Sequence, residues 1–220
     1  MSGAKIKIKV GAVRVLDESN ELSDSDEPYI IVFVVDTSTN LAGFTVPNAR
    51  TTVFSWNDAD EGELLTTLMD DQVPEFLKKA PLFVKGSDYC WGPAGKPVMI
   101  DNADQLVILA GIMENDDGNP AAGRALVNGM MAGALANVAG SGLNRNDLVK
   151  RLKNDMDGAL TQARMTGAPD FDDRVGPVLE LRLTQADLDQ SKTATVRKNL
   201  TFNGGDANGA YRVGFDLVPG

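Results

Sequence analysis

Histidine is absent from this 220-residue chain, and cysteine occurs once, at Cys90. Without imidazole there is no His-dependent triad, no His-ligated zinc or haem and no imidazole general base, and one thiol cannot close an internal disulfide. Aromatic residues make up only 6% of the chain, few for a site that stacks sugars. No stretch reaches the ~18 consecutive apolar residues that signal a membrane-spanning helix. Positive charge is also in deficit: 21 Lys and Arg stand against 31 Asp and Glu, a net charge of −10 that repels phosphate backbones at long range and excludes nucleic acid as the expected partner. What the chain has in excess is carboxylate, which oxygen-liganded cations require.

Hydrophobic residues at 43% and charged residues at 24% are the balance of a folded globular protein. A chain of this length buries roughly 70% of its unfolded surface, so the core needs neither disulfide nor metal to hold it. Residues 1–220 are therefore read as a single domain. Lys5-Ile6-Lys7-Ile8-Lys9-Val10 alternates charge with aliphatic side chain and contains no apolar block followed by small residues. The expected location is cytoplasmic, or outside the cell by a route that uses no N-terminal signal peptide.

The same alternation places Ile6, Ile8 and Val10 on one face of a strand that continues past Gly11, where a bulge is expected. Residues 17–28 then carry six carboxylates among twelve residues and must form a loop. Tyr29–Val35 is a continuous β-branched and aromatic run, the pattern of a strand covered on both faces. Further strands are expected at Gly43–Val46 and Arg50–Trp56, short helices at Leu64–Met69 and Val73–Lys79, and strands at Val98–Ile100 and Leu106–Met113. From Ala121 the period changes: Leu126, Met130, Ala134 and Val138 recur every four residues, as do Leu148, Leu152, Met156 and Leu160. Two helices over Ala121–Val138 and Leu143–Arg164 follow, joined by Gly140-Ser141-Gly142, with Asn146 or Asp147 as cap of the second. Strand patterns return at Val178–Leu183, Thr193–Val196, Leu200–Phe202 and Ala210–Val218. The expected fold is mainly β, an antiparallel β-sandwich with a helical hairpin inserted at about 121–165.

Three acidic clusters sit where strands end, at Asp17–Glu27, Asp58–Glu63 and Glu114–Asp117, and the last turn adds Asp206. Carboxylates brought together either shift their pKa values or recruit a cation; a flexible cage of six to eight oxygens favours Ca²⁺, with the Asn20 and Asn115 amides available to it. The competing reading of each cluster is solvated surface. Ser25-Asp26-Glu27-Pro28-Tyr29 followed by Ile30-Ile31-Val32-Phe33-Val34 resembles the start of the calcium-and-phospholipid-binding C-two domain of protein kinase C and synaptotagmin. In that family Ser-Asp-Pro-Tyr precedes the second strand of an eight-stranded sandwich. Leu106–Ile112 followed by Glu114-Asn115-Asp116 is similar to a later strand of that family and its Asp-x-Asp calcium loop. Glu27 is an insertion relative to the first motif, and Glu114 stands where the second has aspartate. The resemblance implies Ca²⁺ held by Asp17, Asp26, Glu114 and Asp116, and a non-enzymatic module that meets a phospholipid membrane or a protein partner.

Two other functions are open to this sequence. The 22 residues Ala121–Gly142 contain one formal charge, Arg124, and the spacing Gly129-x-x-x-Gly133, which permits close helix contact; a pore-forming toxin or interaction protein would use this hairpin. Packing of the apolar stripe against the sheet is the simpler expectation. A carboxylate-dependent hydrolase would pair Asp58 with Asp60, or Glu114 with Asp116, as acid and base. Cys90, between Tyr89 and Trp91, is read as a buried small hydrophobe, Trp56 and Trp91 as core or interface anchors, and Lys150-Arg151-Leu152-Lys153 as the solvated face of the second helix, with phospholipid contact the lesser reading.

Overall fold

The computed structural model describes residues 3–17, 27–38, 49–56, 64–66, 89–92, 96–115, 119–163, 172–204 and 209–220. In chain order its elements are β1 (Ala4–Asp17), β2 (Pro28–Asp36), β3 (Ala49–Ser55), β4 (Leu64–Thr66), β5 (Val98–Ile100), β6 (Leu106–Glu114), α1 (Pro120–Val138), α2 (Arg145–Ala163), β7 (Asp173–Glu180), α3 (Gln185–Gln190), β8 (Val196–Asn203) and β9 (Ala210–Pro219). The strands form two antiparallel sheets, one ordered β4-β1-β9-β8 with β5 also on β1, the other β3-β2-β6-β7. The protein is thus mainly β, with a helical hairpin between β6 and β7.

Alternation along the strands sorts side chains into two apolar layers. Ile6, Ile8 and Val10 of β1, Val213 and Phe215 of β9, Ile30, Val32 and Val34 of β2, and Ile108, Ala110 and Ile112 of β6 share one buried cluster between the sheets. The odd-numbered partners Tyr29, Ile31, Phe33 and Val35, with Val107, Leu109 and Met113, face the other way onto α1 and α2. Every residue of β2 and β6 is consequently buried, which accounts for the unbroken apolar run read from Tyr29 onward. β1, with polar residues on its outer face, keeps its alternation.

The register of β1 against β9 shifts between Val10 and Ala12, so Gly11 is the bulge expected there. Space rather than backbone angle requires glycine: a methyl at this position would collide with the Asp216 carboxylate, which is held by Arg197 through Nε–Oδ1 at 2.7 Å and Nη2–Oδ2 at 2.8 Å. The free edge of β1 is covered in pieces by β5, by a bridge from Ile8 to Trp91, and by β4. Leu64–Thr66 is therefore strand, not the start of a helix as its sequence indicated. The remaining expectations at Gly43–Val46 and Val73–Lys79 lie outside the described residues.

The hairpin is fastened to the sheet along its length. Asn119 caps α1, its Oδ1 accepting from the backbone N–H of Ala121 and Ala122 at 3.0 and 3.2 Å, with Pro120 in the first turn. α2 is capped two residues before Asn146, by Asn144, whose Oδ1 accepts from Asp147 N–H at 3.0 Å. At its start Arg145 donates to Asp104 O and Leu106 O, both at 3.1 Å. Further along, Asp157 Oδ1 accepts from Arg174 Nη2 at 2.7 Å and from Val178 N–H at 3.0 Å, tying α2 to β7. Between these ties Val127, Met131, Leu135 and Val138 of α1 and Leu148, Leu152, Met156 and Leu160 of α2 are buried.

Gly129 and Gly133 take no part in that packing. Both are exposed, and a methyl at either would meet nothing within 4 Å. Since glycine in a helix interior costs about 0.5–1 kcal/mol relative to alanine, Gly129→Ala and Gly133→Ala should each raise the unfolding free energy by about that amount, read from urea melting curves. A destabilised variant would mean that this face of α1 is covered.

Candidate functional site

The strands that flank the acidic segments end side by side. β1 ends at Asp17, β2 begins at Pro28 beside Glu114 in register, and Glu114 in turn pairs with Asp173 at the start of β7. β9 begins at Ala210 opposite Asp17, and Trp56 N–H donates to Pro28 O at 3.0 Å where β3 ends. The segments 18–26, 57–63 and 116–118 all leave from this one end of the two sheets.

Glu27, just before β2, is locked to the end of β6. Glu27 N–H donates to Glu114 Oε1 at 3.0 Å, Asn115 N–H donates to Glu27 O at 3.1 Å, and Asn115 Nδ2 donates to Glu27 Oε2 at 3.0 Å. Glu114 is only 2% exposed. It follows Ile108, Ala110 and Ile112 in the alternation of β6, on the side facing the other sheet. Asn115 Oδ1 is buried, and among the described residues no donor reaches it. A buried amide oxygen without a partner costs about 1–3 kcal/mol unless a donor, a water or a cation satisfies it.

On the opposite side of β2, Tyr29 Oη donates to Asp172 Oδ2 at 2.6 Å, with both side chains essentially inaccessible. Burial raises the Tyr29 pKa well above the ordinary phenol value, and the bond to Asp172 and the negative charges of Asp172 and Glu114 raise it further. The phenol thus registers the negative field at this end of the sheets.

Of the four carboxylates expected as ligands, Glu114 forms part of the buried floor and Asp17 stands exposed where β1 ends. Asp26 and Asp116 lie outside the described residues, as do Asp58, Asp60, Asn20 and Asp206. Among the described residues no three Asp, Glu, Cys or His side chains are grouped to hold a metal ion by themselves. Sequence reasoning overlooked Glu27 as a clamp and Asp172 as the partner of Tyr29. The available signal for the second was a tyrosine opening a strand covered on both faces, whose hydroxyl needs a partner when buried.

The other candidates have structural places. Cys90 is fully buried, donates its thiol to Ile8 O at 3.2 Å and is pushed up to about 12 by burial. Trp56 and Trp91 belong to the cluster between the sheets. Among the described residues no helix is long and apolar enough to cross a membrane. No protein-family model matches the chain, and neither a curated protein nor a solved structure is significantly similar to it.

Proposed function

We propose that this protein is a non-enzymatic calcium-binding module of one domain, a C-two-like β-sandwich in which an ion orders the loops at the acidic end and presents them to a membrane or a protein partner. The observation that carries this reading is the floor built by Glu27, Glu114 and Asn115. It joins the two segments that resemble the calcium loops of that family, and it leaves the Asn115 amide oxygen buried without a donor. Oxygen donors alone, carboxylate and amide, fit a hard cation of high coordination number. The floor supplies part of the shell; Asp17, Asp26 and Asp116 supply the charge that pulls the ion in. Such a site needs neither histidine nor thiolate; the chain has no histidine, and its one thiol, Cys90, is buried against Ile8 O.

An ion that binds only the folded state at a hundred times its Kd stabilises that state by about 2.7 kcal/mol, a rise of about 5–10 °C in Tm for a chain of this size. Thermal melting in millimolar Ca²⁺ should show that rise over chelator. Asp26→Asn and Asp116→Asn should each diminish it. Superimposable melts in Ca²⁺ and chelator would sink the reading, and an equal rise in Mg²⁺ would reduce it to charge screening.

A further inference from the structure

Away from the acidic end, the first half of α2 lines a cavity of about 300 Å³ with Asn146, Val149, Lys150, Lys153 and Asn154, closed on one side by Glu180 at the end of β7. We propose that this groove is a binding site for a phosphate group, carried by a small molecule or by a lipid headgroup.

The spacing 146, 149, 150, 153 and 154 puts all five helical residues on one face of α2. Val149 is buried at its base, and the two lysines and two asparagines stand around it. The cations of this region divide sharply by whether they are committed. Arg151 is paired with Asp155 at 2.9 Å, and Arg145 Nη2 lies 2.7 Å from Glu180 Oε1, as an ion pair without an aligned hydrogen bond. Lys150 and Lys153, by contrast, have no ion pair or hydrogen bond among the described residues, and neither do the side chains of Asn146 and Asn154. Two unpaired ammonium groups one helical turn apart thus line the same concavity.

The chemistry of the lining selects the ligand. Ammonium groups are compact point charges with rotatable donors, and the amides add neutral donors on either side; together they match the acceptor oxygens of a doubly charged tetrahedral anion. The one carboxylate in the lining, Glu180, is compensated by Arg145. A cavity of this volume lies at the lower end of ligand-binding clefts and suits a small group. The net negative charge of the whole protein opposes an anion at long range, so affinity rests on short-range contacts and will be weakened by salt. The proposal is independent of calcium binding: it uses none of the residues at the acidic end.

The test is titration of the full-length ¹⁵N-labelled protein with inorganic phosphate, read at the side-chain amides of Asn146 and Asn154, against chloride at matched ionic strength. Saturable shifts of both amides by phosphate and not by chloride are expected, with Kd raised at least about tenfold in Lys150→Gln/Lys153→Gln. Thermal melting of that double variant, altered only at side chains outside the core, verifies that the loss is not unfolding. Phosphatidylcholine vesicles with and without phosphatidic acid then identify the source: sedimentation with the phosphatidic acid vesicles alone, lost in the double variant, assigns a lipid headgroup, and phosphate saturation without sedimentation assigns a soluble ligand. Shifts that do not saturate, that chloride reproduces, or that the double variant retains would overturn the site.

Discussion

Leu160→Ala is expected to lower the unfolding free energy by about 2–5 kcal/mol, the range for emptying a leucine site in a well-packed core. Leu160 is 1% exposed and sits so close over β6 that a methyl on Gly111 would collide with its Cδ1. Its removal leaves a void between helix and sheet that the neighbours Leu109 and Val178, held by strand pairing, cannot fully close. The informative probe is far from the cavity: both tryptophans belong to the other apolar cluster, between the sheets. If helices and sheets unfold together, urea curves followed by tryptophan fluorescence and by helical circular dichroism will shift by the same amount. The contrary result is a loss of helix at lower urea with the tryptophan transition in place. That would make the hairpin a separable unit and would favour the reading in which it leaves the sheet to enter a partner or bilayer, despite the ties through Arg145 and Asp157.

The parts of this fold that were legible in the sequence are those where burial imposes a repeated pattern. β2 and β6 are covered on both sides and read as unbroken apolar runs; β1 is covered on one and alternates; α2 buries the stripe read every four residues, whereas in α1 Ala134 and Val138 are buried as read but Val127, Met131 and Leu135 take the places expected of Leu126 and Met130, which are half-buried. Short elements escaped because local pattern does not determine them. Leu64–Thr66 has helix-forming leucines, but its three residues are claimed by the edge of β1. α3 covers six residues, too few for a period. Its signature was the capping box alone, Thr184 and Asp187 bonding to each other's backbone N–H. β7 starts at Asp173, five residues before the alternation becomes readable, because Gly176 has a φ of +71° and interrupts it. The acidic end was visible as composition; the Tyr29–Asp172 bond was not. Its partners are 143 residues apart, and only the pairing of β2, β6 and β7 brings them together.

Stability should fall steeply above pH 9, more than any substitution at the surface would produce, because two buried groups refuse to ionise while the chain is folded. Cys90 has an ordinary pKa of 9.0 and burial pushes it to about 12; backbone hydrogen bonds and the charge of Arg50 offset only part of that. Between those values the unfolded chain has released the thiol proton and the folded chain keeps it. The unfolded state binds fewer protons, so unfolding becomes more favourable as pH rises, by about 1.4 kcal/mol per pH unit and about 4 kcal/mol over the whole interval. Tyr29 joins above pH 10.0, where an unfolded phenol ionises and the folded one, buried against the Asp172 carboxylate, does not. Below pH 9 both groups are protonated in both states and contribute no slope. Urea midpoints measured from pH 8 to 11 should therefore steepen first near 9 and again near 10. Cys90→Ala should remove the first break. Tyr29→Phe should remove the second while costing about 1–3 kcal/mol below pH 10, where the Tyr29–Asp172 hydrogen bond is lost with no change in slope, and less than that above it. Profiles for Cys90→Ala and the parent protein that run parallel between pH 9 and 10 would show that the thiol is not the group responsible, and that the segment 89–92 opens before the sheets do.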